Sequence, residues 1–451
     1  MTTGSIILAA GKSTRMKSAL PKVLHDLGGK KMVEYPLDIL TSLSDVKPVV
    51  VVGYEAETVQ KVIGDRAQYA LQEPQLGTAH AVLQAKPLLD GKVDTILVTY
   101  ADMPLISQFT YQQILETHQT HHAVMTLLTL HSETARGFGR LVRDENGNPQ
   151  AIIEEAVATP HQLAIQELNV GVYCFSTEWL WEALPRISIS PKGEYFLTDL
   201  LSLAVTDKKM VKTVSLADAD EAIGINNRIH LAEAEAALRK RINNHWMLEG
   251  VTILDPTTTY IESTVMIGQD CIIFPNTYLR GKTIIGEGCQ IGPNTFIQDT
   301  QIGTGCKVTF AVLEKAIVED QVDIGPFAHL RKGAHLAQGV HMGNFGEIKN
   351  SYLGPGTKMG HFSYIGDATI GAEVNIGAGT ITCNFDGVKK NPTEIGDHVF
   401  IGSDTMLVAP VQLGEGARTG AGAVVTKNIP AYSLAVGVPA RVIRKLEKPD
   451  G

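Results

Sequence analysis

Residues 395–413 read IGDHVFIGSDTMLVAPVQL, which sets Ile395, Ile401, Leu407 and Leu413 six positions apart. A six-residue period is neither the periodicity of a helix nor the simple alternation of a strand. It is the spacing of a parallel β-helix, in which one aliphatic side chain per hexad points inward from a flat face. The same period passes through Ile285, Ile291 and Ile297, through Ile324, Leu330 and Leu336, and through Leu353, Met359 and Ile365. Each coil then stacks only on its neighbours and buries a continuous aliphatic column. The stretch from Asn384 to Pro392 breaks the period and is predicted to bulge from its coil as a loop.

Upstream of Gly250 the pattern is different. Leu231, Ala234, Leu238, Ile242 and Trp246 share one face of a helix predicted over Arg228 to Met247, with Glu235 alone near the apolar stripe. Further upstream, apolar runs at 5–8, 49–52, 95–99, 124–130 and 169–175 alternate with helical spacing at 31–43 and 79–89. This alternation predicts a mostly parallel sheet covered on both faces, with ligands at the carboxyl ends of its strands. Glu145-Asn146-Gly147-Asn148 supplies a turn for a hairpin within 139–155. The expected organisation is an α/β domain over 1–228, a connecting helix over 229–250 and a β-helix domain over 251–451.

A chain of 451 residues exceeds one core. Its net charge of −9 argues against a nucleic-acid surface. Five cysteines, never in C-x-x-C spacing, read as thiols of a reducing compartment. No apolar run is long enough to span a bilayer, so no membrane insertion and a cytoplasmic location are expected.

The strand at 5–8 runs into LAAGKSTRMKSALPK, residues 8–22. Ala9-Ala10-Gly11 is too small-sided to be a strand centre, and Lys12, Arg15 and Lys17 follow it. A strand ending in a small-residue loop with cations lets backbone N–H groups approach a triphosphate closely. Two better-known phosphate loops are excluded: Ile6 stands where one needs Gly, and the other needs three glycines. Pro21-Lys22 is read as opening a helix. Asp102 follows the buried strand at 95–99, a natural place for a Mg²⁺ ligand. His118, His121 and His122, with Glu116 nearby, match no metal-ligand spacing and are read as a solvated helix end.

L-A-A-G-x-x-T-R-M…P-K followed by V-L-H resembles the signature of sugar-1-phosphate nucleotidyltransferases, in their bacterial N-acetylglucosamine-1-phosphate uridyltransferase branch. The resemblance extends over residues 1 to about 228 and implies a Rossmann-like α/β domain. It places UTP against Leu8, Ala9, Ala10, Gly11, Lys22, Gln72, Gln75, Gly77, Thr78, Tyr100 and Asp102. The amide of Gln72, in LQEPQLGTAH, suits a pyrimidine edge because it donates and accepts. Asp102 and Asn226 (in G-I-N-N-R) are implied Mg²⁺ ligands, and Gly139, Glu154, Asn169 and Asn226 the sugar contacts. Arg15 and Lys22 are implied to act with the metal as a sugar-phosphate oxygen attacks the α-phosphorus of UTP and pyrophosphate leaves. The chain departs from the family at Ala101 (usually Gly), Ala156-Val157 (Lys-Asp) and Val170 (Thr).

The second half is similar to the glucosamine-1-phosphate acetyltransferase part of the same bifunctional family, through VNIGAGTITCN at 374–384 and IGSD at 401–404. The left hand of the β-helix is implied by this resemblance, since the usual crossover rule would give the right. His361 is expected near a coil corner and is implied to be the general base. Arg331 and Lys349 are implied to hold the sugar phosphate of glucosamine-1-phosphate, and Tyr364 and Asn375 its ring. Ala378, Asn384, Phe385, Ser403 and Ala421 are implied to line the acetyl-CoA groove. Phe385 stands where the family often has Tyr, and Gly437 where some members have an Arg near coenzyme A. The family's trimers, with acetyl sites built from neighbouring subunits, imply a homotrimer. Two rival readings are an enzyme of different sugar or nucleotide specificity and a non-enzymatic regulatory protein of the same build.

Overall fold

The computed structural model describes residues 1–12, 14–191 and 193–448; Ser13 of the cationic loop, Lys192 and the side chain of Ala156 lie outside the description. The chain divides into two compact units, Met1–Leu238 and Arg239–Gly451.

In the first unit, Thr3–Leu8, Val49–Val52, Gln68–Leu71 and Thr95–Tyr100 pair in parallel. Their central residues are almost wholly apolar because helices cover both faces. Ile6, Val49, Val51, Ile96 and Val98 pack on one side, and Ile7, Val50, Val52 and Leu97 on the other. The sheet is mostly parallel, as predicted, but one strand of its main path is reversed. Glu167–Ser176 runs antiparallel between Thr95–Tyr100 and Met125–His131. The chain enters that strand through the hairpin Gly139–Arg143/Pro149–Ile153, which occupies the place of a crossover helix.

Three helix expectations are corrected. Pro21-Lys22 opens only the short turn Lys22–Leu24. The helix expected from Lys31 begins at Glu34, because Lys30–Lys31 pairs with Asp26–Leu27 in a small ribbon. The helix expected at 79–89 is broken into Thr78–Gln84 and Lys86–Leu89, where Pro87 cannot supply a backbone donor.

The histidine cluster is also not a uniformly solvated helix end. His121 and His122 are exposed, but His118, on helix Gln108–Thr120, is buried with Nδ1 3.1 Å from Thr126 Oγ1. Burial pushes its imidazole down to about 4. The folded value lies below the unfolded one, so His118 is neutral and harmless above about pH 6.5 and weakens the fold as pH falls toward 4. His118→Gln is expected to reduce the stability loss between pH 7 and pH 4.5, by an amount up to about 3 kcal/mol, in denaturant titrations at the two pH values.

Helix Arg228–Leu248 keeps the predicted stripe: Ala234, Leu238 and Trp246 are buried. The exception, Glu235, accepts the Gly28 N–H at 2.9 Å. Asn243, fully buried on the same helix, donates to the carbonyls of Pro256 and Thr259 at 2.9 and 3.1 Å.

In the second unit three sheets accumulate one short strand per coil, all parallel among the described residues except the closing hairpin Ser433–Gly437/Ala440–Lys445. The register is regular: Lys358 pairs with Asn375 and Asn375 with Phe400 on one face, while Tyr364, Ile381, Met406 and Val424 align on another. Every aliphatic hexad position named above is buried. Cys271, Cys289 and Cys306 occupy one buried column, with each Sγ within 3.1 Å of a carbonyl oxygen of Gly286, Gly303 or Glu319. All five thiols are free. The segment 385–390 is exposed outside the coil, as its broken period predicts, and is closed by a bridge between Phe385 and Lys390. No helix among the described residues is long and apolar enough to cross a membrane.

Candidate functional site

In the first unit the strand Thr3–Leu8 delivers Ala9-Ala10-Gly11 to the carboxyl edge of the sheet, where Ala9 N–H still bonds Val51 O at 2.9 Å. A Cβ on Gly11 would meet nothing within 4 Å, so packing does not require glycine there and the space above its backbone is open. Gly53 is different: a Cβ would lie 2.8 Å from Gln75 Nε2 and 2.9 Å from Ala10 O. Its absence lets the Gln75 amide donate to the Ala10 carbonyl.

Four polar side chains then meet. Asn226 is brought in because Ile225 N–H bonds the carbonyl of Asp102 at 2.9 Å. Asn226 Oδ1 accepts from Arg15 Nη2 at 2.9 Å and from Lys22 Nζ at 3.1 Å, and Lys22 also pairs with Asp102 Oδ2. One ammonium therefore faces both the carboxylate and the amide oxygen. Among the described residues no group of three or more His, Cys, Asp or Glu is placed to hold a metal. One carboxylate with one amide oxygen fits Mg²⁺, which takes few protein oxygens and completes its shell with phosphate and water.

Behind these groups lies a cavity of about 260 Å³ lined by Tyr100, Asp102, Gly139, Glu154, Asn169 and Asn226 among others. Gly139 is needed for packing, since a Cβ would sit 2.8 Å from Ile152 Cγ2. Asn169 stands where the pairing of its strand shifts register, and its amide donates to the Tyr173 hydroxyl at 2.7 Å. Gly171, at φ +91°, leaves room for the Tyr100 ring, 2.9 Å from the position of a Cβ. Burial pushes the Tyr100 phenol well above its ordinary value, so it is a neutral donor in the cavity. Gln72 is buried, and its amide nitrogen lies 2.9 Å from Gly77 O and 3.2 Å from His80 Nδ1. Both of its donors are thus held internally. Of the departures from the family, Val170 is buried and lines the cavity, Ala101 is buried in the core and Val157 is exposed.

Sequence reasoning missed Glu194, Phe196 and Thr198, which also line the cavity. Thr198 is buried and donates to Glu154 Oε1 at 3.1 Å. EYFLTD carries no recognisable binding motif, so only the tertiary approach of this segment exposes its role.

In the second unit, His361 lies in the turn between Lys358–Met359 and Ser363–Gly366 and is exposed. The pairing of Tyr364 with Ile381, Ile381 with Met406 and Met406 with Val424 fixes what surrounds it. The residues three positions before these are His361, Ala378, Ser403 and Ala421, so the four form one column along a corner of successive coils. Neighbouring turns hold the next residue left-handed, at Phe345, Gly379, Asp404 and Gly422, but Phe362 is not among the positive-φ residues. In its turn the Phe362 carbonyl, rather than that of His361, receives the next coil's N–H, from Gly379 at 2.7 Å.

At the other end of the same sheet face, Arg331 bonds Glu347 Oε1 at 2.9 Å, and Lys349 follows in the next coil. Lys390, which sequence reasoning did not single out, reaches this group from the looped-out segment and lies 3.7 Å from Asp367 Oδ2. Its ammonium, with Arg331, holds Lys349 below the ordinary lysine range. Asn384 also donates to Asp367, at 2.6 Å. The loop is closed by Asp386, whose carboxyl is held at about 2 by the Lys389 N–H, the Asn391 amide and the Val388 N–H. Asn375 and Phe385 are exposed on the surface of this unit. Arg331, Lys349 and Lys390 thus gather three cations on one side of the unit, and the exposed imidazole of His361 heads a column that continues through Ala378, Ser403 and Ala421.

A phosphate-binding α/β unit with a β-helix of hexapeptide coils defines a two-part transferase. The nucleotidyl transferase family profile matches residues 4–246, and the bacterial transferase hexapeptide profile matches 264–299 and 392–427. The chain is 46% identical to the bifunctional protein GlmU of Heliobacterium modesticaldum over 96% of this chain and 94% of that protein. It is 44% identical to the bifunctional protein GlmU of Exiguobacterium sibiricum over 99% of each. Against that of Streptococcus equi subsp. zooepidemicus it is 42% identical over 99% of this chain and 97% of the relative. The chain belongs to the family of bifunctional GlmU proteins, and its hexapeptide unit is a left-handed parallel β-helix.

Proposed function

We propose that the chain makes UDP-N-acetylglucosamine in two steps: the β-helix unit moves the acetyl group of acetyl-CoA to glucosamine-1-phosphate, and the α/β unit couples the product to UTP. The observation that carries the reading is the meeting of Arg15, Lys22, Asp102 and Asn226 at the mouth of a sugar-sized cavity. Neutral polar and carboxylate groups line that cavity, as sugar hydroxyls and an acetamide require.

Asp102 and Asn226 would hold Mg²⁺, which when bound neutralises phosphate charge. Lys22 and Arg15 supply fixed positive charge beside them, and the open backbone at Gly11 admits the triphosphate. Glu154, Asn169 and Gly139 orient the sugar so that its phosphate oxygen faces the α-phosphorus of UTP. A new P–O bond forms there as the bond to pyrophosphate breaks. In the acetyl step His361 takes the proton that the sugar ammonium must lose, while Arg331, Lys349 and Lys390 hold the phosphate. Tyr364 and Asn375 orient the ring, and Ala378, Asn384, Phe385, Ser403 and Ala421 flank coenzyme A. The groove is shallow, and a homotrimer supplies its second wall. Free thiols and the absence of a membrane-spanning helix among the described residues suit a cytoplasmic enzyme.

The domain reading is 1–228, 229–250 and 251–451, with the activities separable at the helix. The test is a panel of sugar-1-phosphates against UTP and dTTP, with and without acetyl-CoA. N-acetylglucosamine-1-phosphate with UTP is expected to be the best pair, and glucosamine-1-phosphate to be productive only with acetyl-CoA. A better turnover with another hexose or with dTTP favours the rival specificity, for which buried Val170 in the cavity wall is the structural argument.

A further inference from the structure

Residues 194–198 touch both halves of the uridyl site. On the nucleotide side, Tyr195 N–H bonds Leu76 O at 2.8 Å, and Ala79 N–H bonds Tyr195 O at 3.0 Å. The approach is close enough that a Cβ on Gly77, at φ +100°, would lie 2.6 Å from Tyr195 O. Leu197 N–H then donates to Thr78 Oγ1 at 2.9 Å, and the Thr78 side chain also hydrogen-bonds the Tyr100 phenol. On the sugar side the very next residue, Thr198, donates to Glu154 Oε1 at 3.1 Å. A buried hydroxyl donating to a carboxylate fixes the rotamer of that carboxylate.

We propose that 194–198 is a strap that couples nucleotide binding to sugar binding, with Thr198 as the positioning residue that sets Glu154. Anything that orders Thr78 also orders Leu197, and through one peptide unit Thr198; by reciprocity a sugar held by Glu154 tightens the nucleotide half. Catalysis gains because the sugar phosphate meets an oriented acceptor only when the nucleotide is in place. The proposal rests on the assignment of Thr78 to the nucleotide and Glu154 to the sugar.

The experiment measures steady-state uridyl transfer and UTP binding in the full-length protein. It compares wild type with Thr198→Val, Thr198→Ser, Thr78→Val, Thr78→Val/Thr198→Val and Glu154→Gln. Thr198→Val is expected to raise KM for N-acetylglucosamine-1-phosphate about tenfold, the size of a lost hydrogen bond to a charged group. Binding of UTP alone is expected to change less than about twofold. Thr198→Ser restores the hydroxyl and the wild-type KM. The double variant is expected to be less damaged than the product of its single variants, as for groups acting as one unit. Thr198→Ser as impaired as Thr198→Val overturns the proposal, as do effects that simply multiply. Acetyl transfer reports that each variant is folded. If Glu154→Gln leaves the sugar KM unchanged, the site assignment fails and the strap fails with it, whereas a raised KM in Glu154→Gln with a silent Thr198→Val rejects the strap alone.

Discussion

Asp102→Asn is expected to abolish uridyl transfer, by at least about 10³-fold, and to leave acetyl transfer near wild type. Asp102 makes two contacts in the structure that bear on this. It pairs with Lys22, and its own backbone carbonyl anchors the loop that carries Asn226. The substitution keeps the backbone anchor and the size of the side chain, so Asn226 and Lys22 stay in place. What it removes is one negative charge where, on the proposed assignment, a divalent cation and three phosphates would be balanced. Among the described residues no group of three or more His, Cys, Asp or Glu is placed to hold a metal, so the variant leaves no ready-made acidic cluster to take over. Loss of that charge costs several kcal/mol of transition-state stabilisation. Uridyl transfer assays at ordinary Mg²⁺ check this, with acetyl transfer as the control for folding. Wild-type uridyl rates in the variant would remove Asp102 from the metal site.

The two halves of the chain were legible in the sequence to different degrees. Every aliphatic residue that the hexad period named is buried, because a β-helix repeats one local rule and each coil contacts only its neighbours. The same regularity explains why His361, Ala378, Ser403 and Ala421, distant in sequence, fall in one column: equal offsets in successive coils become adjacent positions. The α/β half has no such rule. Its buried strands were readable as apolar runs, but the direction of Glu167–Ser176 was not, because apolarity reports burial and not polarity of pairing. Helix starts failed where tertiary pairing overrode spacing, as at Lys30–Lys31. His118 was misread because one buried turn of an otherwise polar helix end looks solvated in the sequence.

The candidate sites follow the same division. Arg15, Lys22, Asp102 and Asn226 were named individually and the fold brings them within hydrogen-bonding reach of one another. Thr198 and Lys390 were missed because each lies far along the chain from the group it serves, Glu154 and Lys349 respectively. Neither sits in a motif of its own.

His361→Ala is expected to lower acetyl-transfer kcat by about 10²- to 10⁴-fold while uridyl transfer persists. The incoming group is an ammonium at neutral pH and must lose a proton before nitrogen can attack a thioester carbonyl. Imidazole is the side chain suited to take that proton near neutral pH. The geometry makes His361 available for it: the side chain is exposed at a coil corner, in line with the small residues that would flank coenzyme A. Substrate KM is expected to stay within about threefold, because the phosphate is assigned to Arg331, Lys349 and Lys390 and not to the base. His361 is exposed, and Ala378 and Ala421 stand at the corresponding offset of later coils, so the corner is expected to tolerate the change even though its backbone turn differs from theirs. Structural collapse is therefore not the expected cause of lost activity, and circular dichroism with uridyl transfer checks that directly. The limb of the pH–rate profile that reports the base should vanish in the variant, with the remaining slow reaction following the ammonium of the substrate alone. A variant with near-normal kcat and an unchanged profile would assign the proton to another acceptor. Tyr364, on the next strand of the same coil and within the field of Arg331, would then be the first side chain to test.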